Sequence, residues 1–300
     1  MNLAFADAVN LSWKIHAVES GIASPKLLDT YELERRQAAQ DVIEFDYHYA
    51  AIFAQRLMGV VEKRARGLDS TVEETNGLAA AFAKSGVLIS GYGVSYAENL
   101  LNWSATVSDA PPLDLGSSSL KPGSCFALTA DVTRVHDGKV VQLEQEIGLD
   151  GTFRIYIFAG DLQRSRRALD QLSAELQKPE SFLNLRQRRK LRSANAHQGS
   201  DSKWFTLSMT FIPSCADSTY DIAMPAGLGV GSERIYADDQ GGILKGGLIP
   251  SIAHTKAGLK GGAGAVVVVR PDGYVAMATQ LVDSSAPGQV LNSYFSRLRD

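Results

Sequence analysis

Three hundred residues, 45% of them hydrophobic, suffice for one large or two ordinary domains with a sizeable core. A net charge of −3 gives no reason to expect a nucleic-acid partner. The longest apolar run, Ala265–Val269, is far too short to cross a bilayer, and Asp7 interrupts the apolar stretch at the N-terminus, so the expectation is a soluble, cytoplasmic chain with no membrane partner.

From the N-terminus, Leu3, Ala6, Val9, Trp13 and Ala17 recur at helical spacing and predict a helix over residues 1–19. Ser24 is a candidate cap and Pro25 suits a first helical position, so a second helix is expected from there. Glu32 and Arg36 form an i,i+4 pair on it. Ala38, Val42, Phe45, Tyr49, Phe53 and Leu57 carry its apolar stripe onward to Met58. His48, between two tyrosines, reads as a packed or surface histidine, and the basic runs at 62–66 and 186–192 read as solvated faces. Residues 1–100 are predominantly helical, with turns at Gly21, Gly67 and Gly86.

A Pro pair and a Ser cluster make 108–119 a linker by composition. Beyond it, β-branched and aromatic runs predict strands at 154–158, 204–212, 265–270 and 274–278, the last two joined across an Asp272-Gly273 turn. Helical patterns over 163–177 and 287–298 alternate with them, which predicts an α/β unit. The glycine-rich stretch 241–264 reads as a long irregular connection.

Chemistry-bearing motifs are scarce. Cys125 and Cys215 are far apart, so there is no Cys-x-x-Cys for thiol–disulfide exchange. The five histidines lack metal-ligand spacing, and there is no Gly-x-Ser-x-Gly elbow. Three glycine clusters, at 91–93, 227–231 and 261–264, fail as phosphate cradles because none sits between a strand and a following helix.

The opening segment, Met1-Asn2 with Asp7, Asn10-Leu11, Trp13 and Lys14, resembles the last flavin-contacting motif of the FAD-dependent aromatic hydroxylases of phenol 2-monooxygenase type. Leu27-Leu28-Asp29 with Tyr31-Glu32 and Glu34-Arg35-Arg36 is similar to a second signature of that family. Leu120–Gly123, Gly151–Gly160 and Ala265–Ala276, the last including Arg270-Pro271-Asp272-Gly273-Tyr274, follow the order of its thioredoxin-like dimerisation domain. The resemblance implies an α/β chain: the helical end of a flavin domain over 1–107, the linker 108–119, and a thioredoxin-like domain over 120–300. It also implies FAD as cofactor, contacted by Met1, Asn2 and Asp7, with NADPH as co-substrate and a small aromatic substrate. No catalytic residue and no metal ligand are assigned. The family's nucleotide-binding glycines would lie ahead of Met1, so the isolated chain is expected not to retain FAD. It is also expected to pair as a homodimer or with a full-length flavoprotein homologue, because Leu3, Val9, Trp13, Val42, Tyr49 and Phe53 would lose part of their cover. Three readings stay open on sequence: a monooxygenase of this family, a non-catalytic dimerisation or interaction protein, and a fragment of a longer gene product.

Overall fold

A computed structural model describes residues 2–65, 92–103, 120–146, 150–184, 205–212, 224–244, 247–249 and 251–299. Two N-terminal helices, α1 (Asn2–Glu19) and α2 (Asp29–Ala65), lead in. The rest is a sheet with helices: β1 (Asp131–Arg134), β2 (Lys139–Gln142), β3 (Phe153–Asp161), α3 (Leu162–Gln177), β4 (Phe205–Ile212) and β5 (Ile235–Ala237). There follow β6 (Gly242–Leu244), β7 (Gly247–Ile249), α4 (Ile252–Lys256), β8 (Ala265–Val269), β9 (Val275–Gln280) and α5 (Pro287–Arg297).

Seven strands lie in the order β2-β1-β5-β4-β3-β8-β9. β3 and β4 are parallel, joined through α3, while β8 returns antiparallel to β3 and forms a hairpin with β9. This βαβ unit followed by a β-hairpin and helix is the thioredoxin-like arrangement. β3 is an interior strand covered on both faces, so it can be apolar over most of its length, with Arg154 as its buried charged residue. The period of two sorts its side chains: Phe153, Ile155 and Ile157 face one core, Tyr156 and Phe158 the other. On the first side Leu169 and Leu172 of α3, Tyr294 and Phe295 of α5, and Trp13 of α1 pack together. Trp13 meets Phe153 edge-on, with ring centroids 5.5 Å apart. α1 therefore belongs to the sheet's own core.

Several expectations change on contact with this fold. Ser24 does not cap with its side chain: the turn Pro25–Leu28 is 3₁₀, Leu27 N–H donates to the Ser24 carbonyl, and the buried Ser24 hydroxyl has no partner among the described residues. The stretch 241–264 is not irregular throughout, since it holds the β6–β7 hairpin and α4. α4 forms there because Asp238 accepts from the N–H groups of Ala253 (3.0 Å) and His254 (2.8 Å) at its first turn. Trp13 keeps its cover against Phe153, whereas Leu3 and Phe53 are exposed and Val9, Val42 and Tyr49 are half-buried. The short strands β1, β2 and β5 were not anticipated. The linker 108–119 lies outside the described residues, as do the turns at Gly67 and Gly86, Cys215 and the basic run 186–192. Among the described residues no helix is long and apolar enough to cross a membrane.

The segment 92–103 joins the sheet: Tyr96 N–H donates to Gly123 O, and Trp103 N–H to Ala276 O. Gly123 sits at φ +87°, and a Cβ there would lie 2.1 Å from the Tyr96 carbonyl oxygen. Gly123→Ala is expected to cost about 2 kcal/mol or more, from left-handed strain plus the backbone clash. A lowered urea midpoint with an unchanged m-value would report it.

Candidate functional site

α1 places Asn10, Trp13, Lys14 and Ala17 on one face, i, i+3, i+4 and i+7, and all four are buried. Two of them are polar, and their partners come from distant parts of the chain. Asn10 Nδ2 donates to Glu34 Oε2 (2.9 Å) and Asp272 Oδ2 (3.2 Å). Trp13 Nε1 donates to Asp272 Oδ2 (3.1 Å). Lys14 Nζ donates to Asn10 Oδ1 (2.7 Å) and Glu34 Oε2 (2.9 Å).

Arg270, at the end of β8 and fully buried, closes the cluster. Its Nη1 and Nη2 donate to Glu34 Oε1 (2.6 Å) and Oε2 (2.8 Å), a two-pronged pair with a carboxylate 236 positions earlier. Its Nε and Nη2 also donate to Asp272 (3.0 and 2.6 Å), and Nη1 to Asn102 Oδ1 (3.0 Å). Its guanidinium lies 5.4–5.7 Å from the ring centroids of Trp13, Tyr96 and Tyr274. Asn99 and Asn102 add donors to Glu34 Oε1. The tight turn from Arg270 to Tyr274 presents Asp272, helped by Gly273 at φ +82°.

Two cations, Lys14 and Arg270, thus face two carboxylates, Glu34 and Asp272, in a dry and electrically balanced cluster. Burial alone would push the Glu34 carboxyl up, but the charge and hydrogen bonds of Arg270, with Lys14, hold it well below the usual carboxylate range. Burial, then the charge of Arg270, lowers the Lys14 ammonium to about 8, against the pull of Glu34. Burial opposes the charge on Arg270, yet Asp272 and Glu34 together keep it firmly protonated.

Of the predicted cofactor contacts, Met1 and the Asn2 side chain lie outside the described residues. Asp7 is half-exposed, and its Oδ1 accepts from Arg35 Nε (2.5 Å). Arg35 Nη1 in turn donates to Tyr96 Oη (2.8 Å), and the Tyr96 ring lies 4.5 Å from that of Tyr274. A cleft of about 310 Å³ opens beside the Asp7–Arg35 pair, lined by Leu3, Asp7, Tyr31, Arg35 and Arg36 among others. The first turn of α1 contains no acidic residue, so its N–H groups and positive dipole end are not neutralised from within the helix.

Two other polar groups have structural roles. His254 Nε2 accepts from Gly160 N–H (3.2 Å), so Nδ1 carries the proton and donates to Asp238 (2.7 Å); both ring nitrogens are occupied. Burial, aided by Asp272 and Glu144, pushes the Cys125 thiol up to about 11, away from the thiolate form. No group of side chains suited to a metal ion occurs among the described residues.

Two N-terminal helices are thus tied to a mixed α/β sheet through one buried polar cluster. Residues 94–299 match the family model "Phenol hydroxylase, C-terminal dimerisation domain", and residues 1–46 match an FAD binding domain. The chain belongs to the phenol hydroxylase dimerisation-domain family. It is 31% identical over 304 residues to 3-hydroxybenzoate 4-monooxygenase of Comamonas testosteroni, covering 98% of this chain and 43% of that one. With phenol 2-monooxygenase fsqG of Aspergillus fumigatus it shares 26% over 283 residues, covering 92% and 42%. The structure of the flavin-dependent monooxygenase PieE, in complex with FAD and substrate, superposes with a TM-score of 0.51 at 16% identity, over 99% of this chain and 44% of that one. The chain spans less than half the length of the relatives it matches.

Proposed function

We propose that this chain is the flavin-facing helical end and dimerisation domain of an FAD-dependent aromatic monooxygenase. In this reading the reaction would be the NADPH-dependent hydroxylation of a small phenolic compound. The observation that carries it is the first turn of α1, free of internal acid, in a segment that matches an FAD binding domain and is sealed onto the dimerisation domain. A bound flavin would supply the redox chemistry. The chain's own residues would orient it. The N–H groups of Met1, Asn2 and their neighbours would face its pyrimidine ring, and Asp7, steadied by Arg35, would lie at the rim of the same cleft. One helix end is worth roughly 1 kcal/mol toward an acceptor, so these contacts orient the cofactor rather than retain it.

The test is a chimera in which this chain replaces the matched portion of 3-hydroxybenzoate 4-monooxygenase. A yellow protein with stoichiometric FAD and NADPH-dependent hydroxylation is expected. A chimera with native-like circular dichroism but no flavin would contradict the reading.

The thioredoxin-like half is proposed to pair two chains and to perform no thiol chemistry. Light scattering is expected to give about twice the 32.3 kDa chain mass, and a monomer at micromolar concentration would refute pairing. The protein is further expected to leave insulin disulfides intact under dithiothreitol, at the uncatalysed rate. Acceleration abolished by Cys125→Ser would show that the thiol is active after all.

A further inference from the structure

We propose that Arg270 is a positioning residue for α1, so that the β8–β9 turn of the thioredoxin-like sheet, and not α2 alone, sets where the flavin-facing end of that helix points. The flavin-facing clause rests on the function proposed above; the mechanical claim does not.

The contacts form two relays that meet at the same turn. In the first, Asn10, Trp13 and Lys14 give three fixed points on α1 within little more than one helical turn. Three such points fix both its roll and its axial position. They are held by Glu34 and Asp272, and both carboxylates are held by Arg270. In the second, Asp7 is held by Arg35, Arg35 by Tyr96, and Tyr96 lies against Tyr274. Asp7 stands a turn from Asn10 toward the N-terminus, so the relays grip successive turns. Both end within residues 270–274. From Asn10 to Asn2 the helix runs roughly 12 Å at 1.5 Å per residue, so a small tilt at the cluster displaces the first turn visibly.

Arg270 is suited to this task because its donors are fully engaged in planes set by the backbone turn. A lysine would keep the charge but lose the fork. Ordinary core packing by Trp13 against Phe153 would leave the helix free to slide and roll over an apolar surface. The hydrogen bonds remove that freedom.

The test is residue-resolved amide hydrogen exchange on the full chain, comparing the parent with Arg270→Lys and Trp13→Phe. With Arg270→Lys, exchange at residues 6–9, the first α1 amides that are hydrogen-bonded within the helix, is expected to rise about tenfold or more, while the amides of Ile155–Ile157 and Val266–Val268 stay within about twofold of the parent. Trp13→Phe keeps an aromatic ring against Phe153 but loses the donor to Asp272, together with part of the indole's packing and its face toward Arg270. It is expected to loosen the same α1 amides to a smaller extent, and it carries the test if the lysine variant does not fold. Unchanged α1 exchange in a folded variant would overturn the proposal. So would an equal rise in α1 and the central strands, because that is global destabilisation. The experiment contains no flavin, so it can fail while the chimera binds FAD, and it can succeed while the chimera does not.

Discussion

Replacing Glu34 with alanine is expected to destabilise the chain by about 3–5 kcal/mol, among the largest effects of any single substitution in it. Glu34 accepts from Asn10, Lys14, Arg270 and Asn102, all buried, and from the half-buried Asn99. Its removal leaves Arg270 and Lys14 sharing Asp272, the cluster's remaining carboxylate among the described residues, with a net positive charge in a buried site. That uncompensated charge, rather than the lost contacts, dominates the cost. Glu32, two residues earlier on the same helix, provides the control. Its pair with Arg36 is about two-thirds exposed on both sides, and Glu32→Ala is expected to cost no more than about 0.5 kcal/mol. Urea unfolding with unchanged m-values would separate the two cases. Similar midpoint shifts for both variants would show that the buried cluster carries no special weight.

The same cluster dictates the pH dependence of stability, with opposite senses at the two ends. The Glu34 carboxyl is depressed in the folded chain, so the unfolded chain takes up its proton first. The stabilisation is complete above the ordinary glutamate range and is lost as pH falls through about 4.5 and below. For Lys14 the folded value is about 8 against 10.5 unfolded. Between those limits the unfolded chain binds more protons, so this group makes stability rise with pH, by at most about 1.4 kcal/mol per pH unit. Above about 10 the buried tyrosines oppose the rise, because burial pushes Tyr274 and Tyr294 upward and the unfolded chain ionises first. The measurable signature is a gain in melting temperature from pH 8 to 9.5 that is absent in Lys14→Met. A parent chain with a flat profile there, or a variant that keeps the gain, would remove Lys14 from the account.

How far the sequence disclosed this depends on the length scale of each feature. The helices over 163–177 and 287–298 and the strands near 154–158, 204–212, 265–270 and 274–278 were legible because their periodicity is local and strong. β1, β2 and β5 have three or four residues each and no sustained alternation, so only pairing in the folded sheet defines them. The glycines of 241–264 masked α4, whose start is fixed by Asp238 from another segment. The cluster itself was present in three quoted blocks: Asn10 to Lys14, Glu34 to Arg36, and Arg270 to Tyr274. Each looked like a local signature, because no spacing rule connects Glu34 with Arg270. One signal was available. Asn10 and Lys14 share a helical face with Trp13 and Ala17, and polar residues on an apolar face call for distant partners.

The most direct test of the central claim is a double-mutant cycle between Glu34 and Arg270, using Glu34→Gln, Arg270→Met and the double variant, followed by urea unfolding. If one buried network seals α1 to the sheet, the two effects are coupled by about 2 kcal/mol or more, and the double variant is far less damaged than the sum of the singles. Effects that add to within about 0.5 kcal/mol would contradict the account.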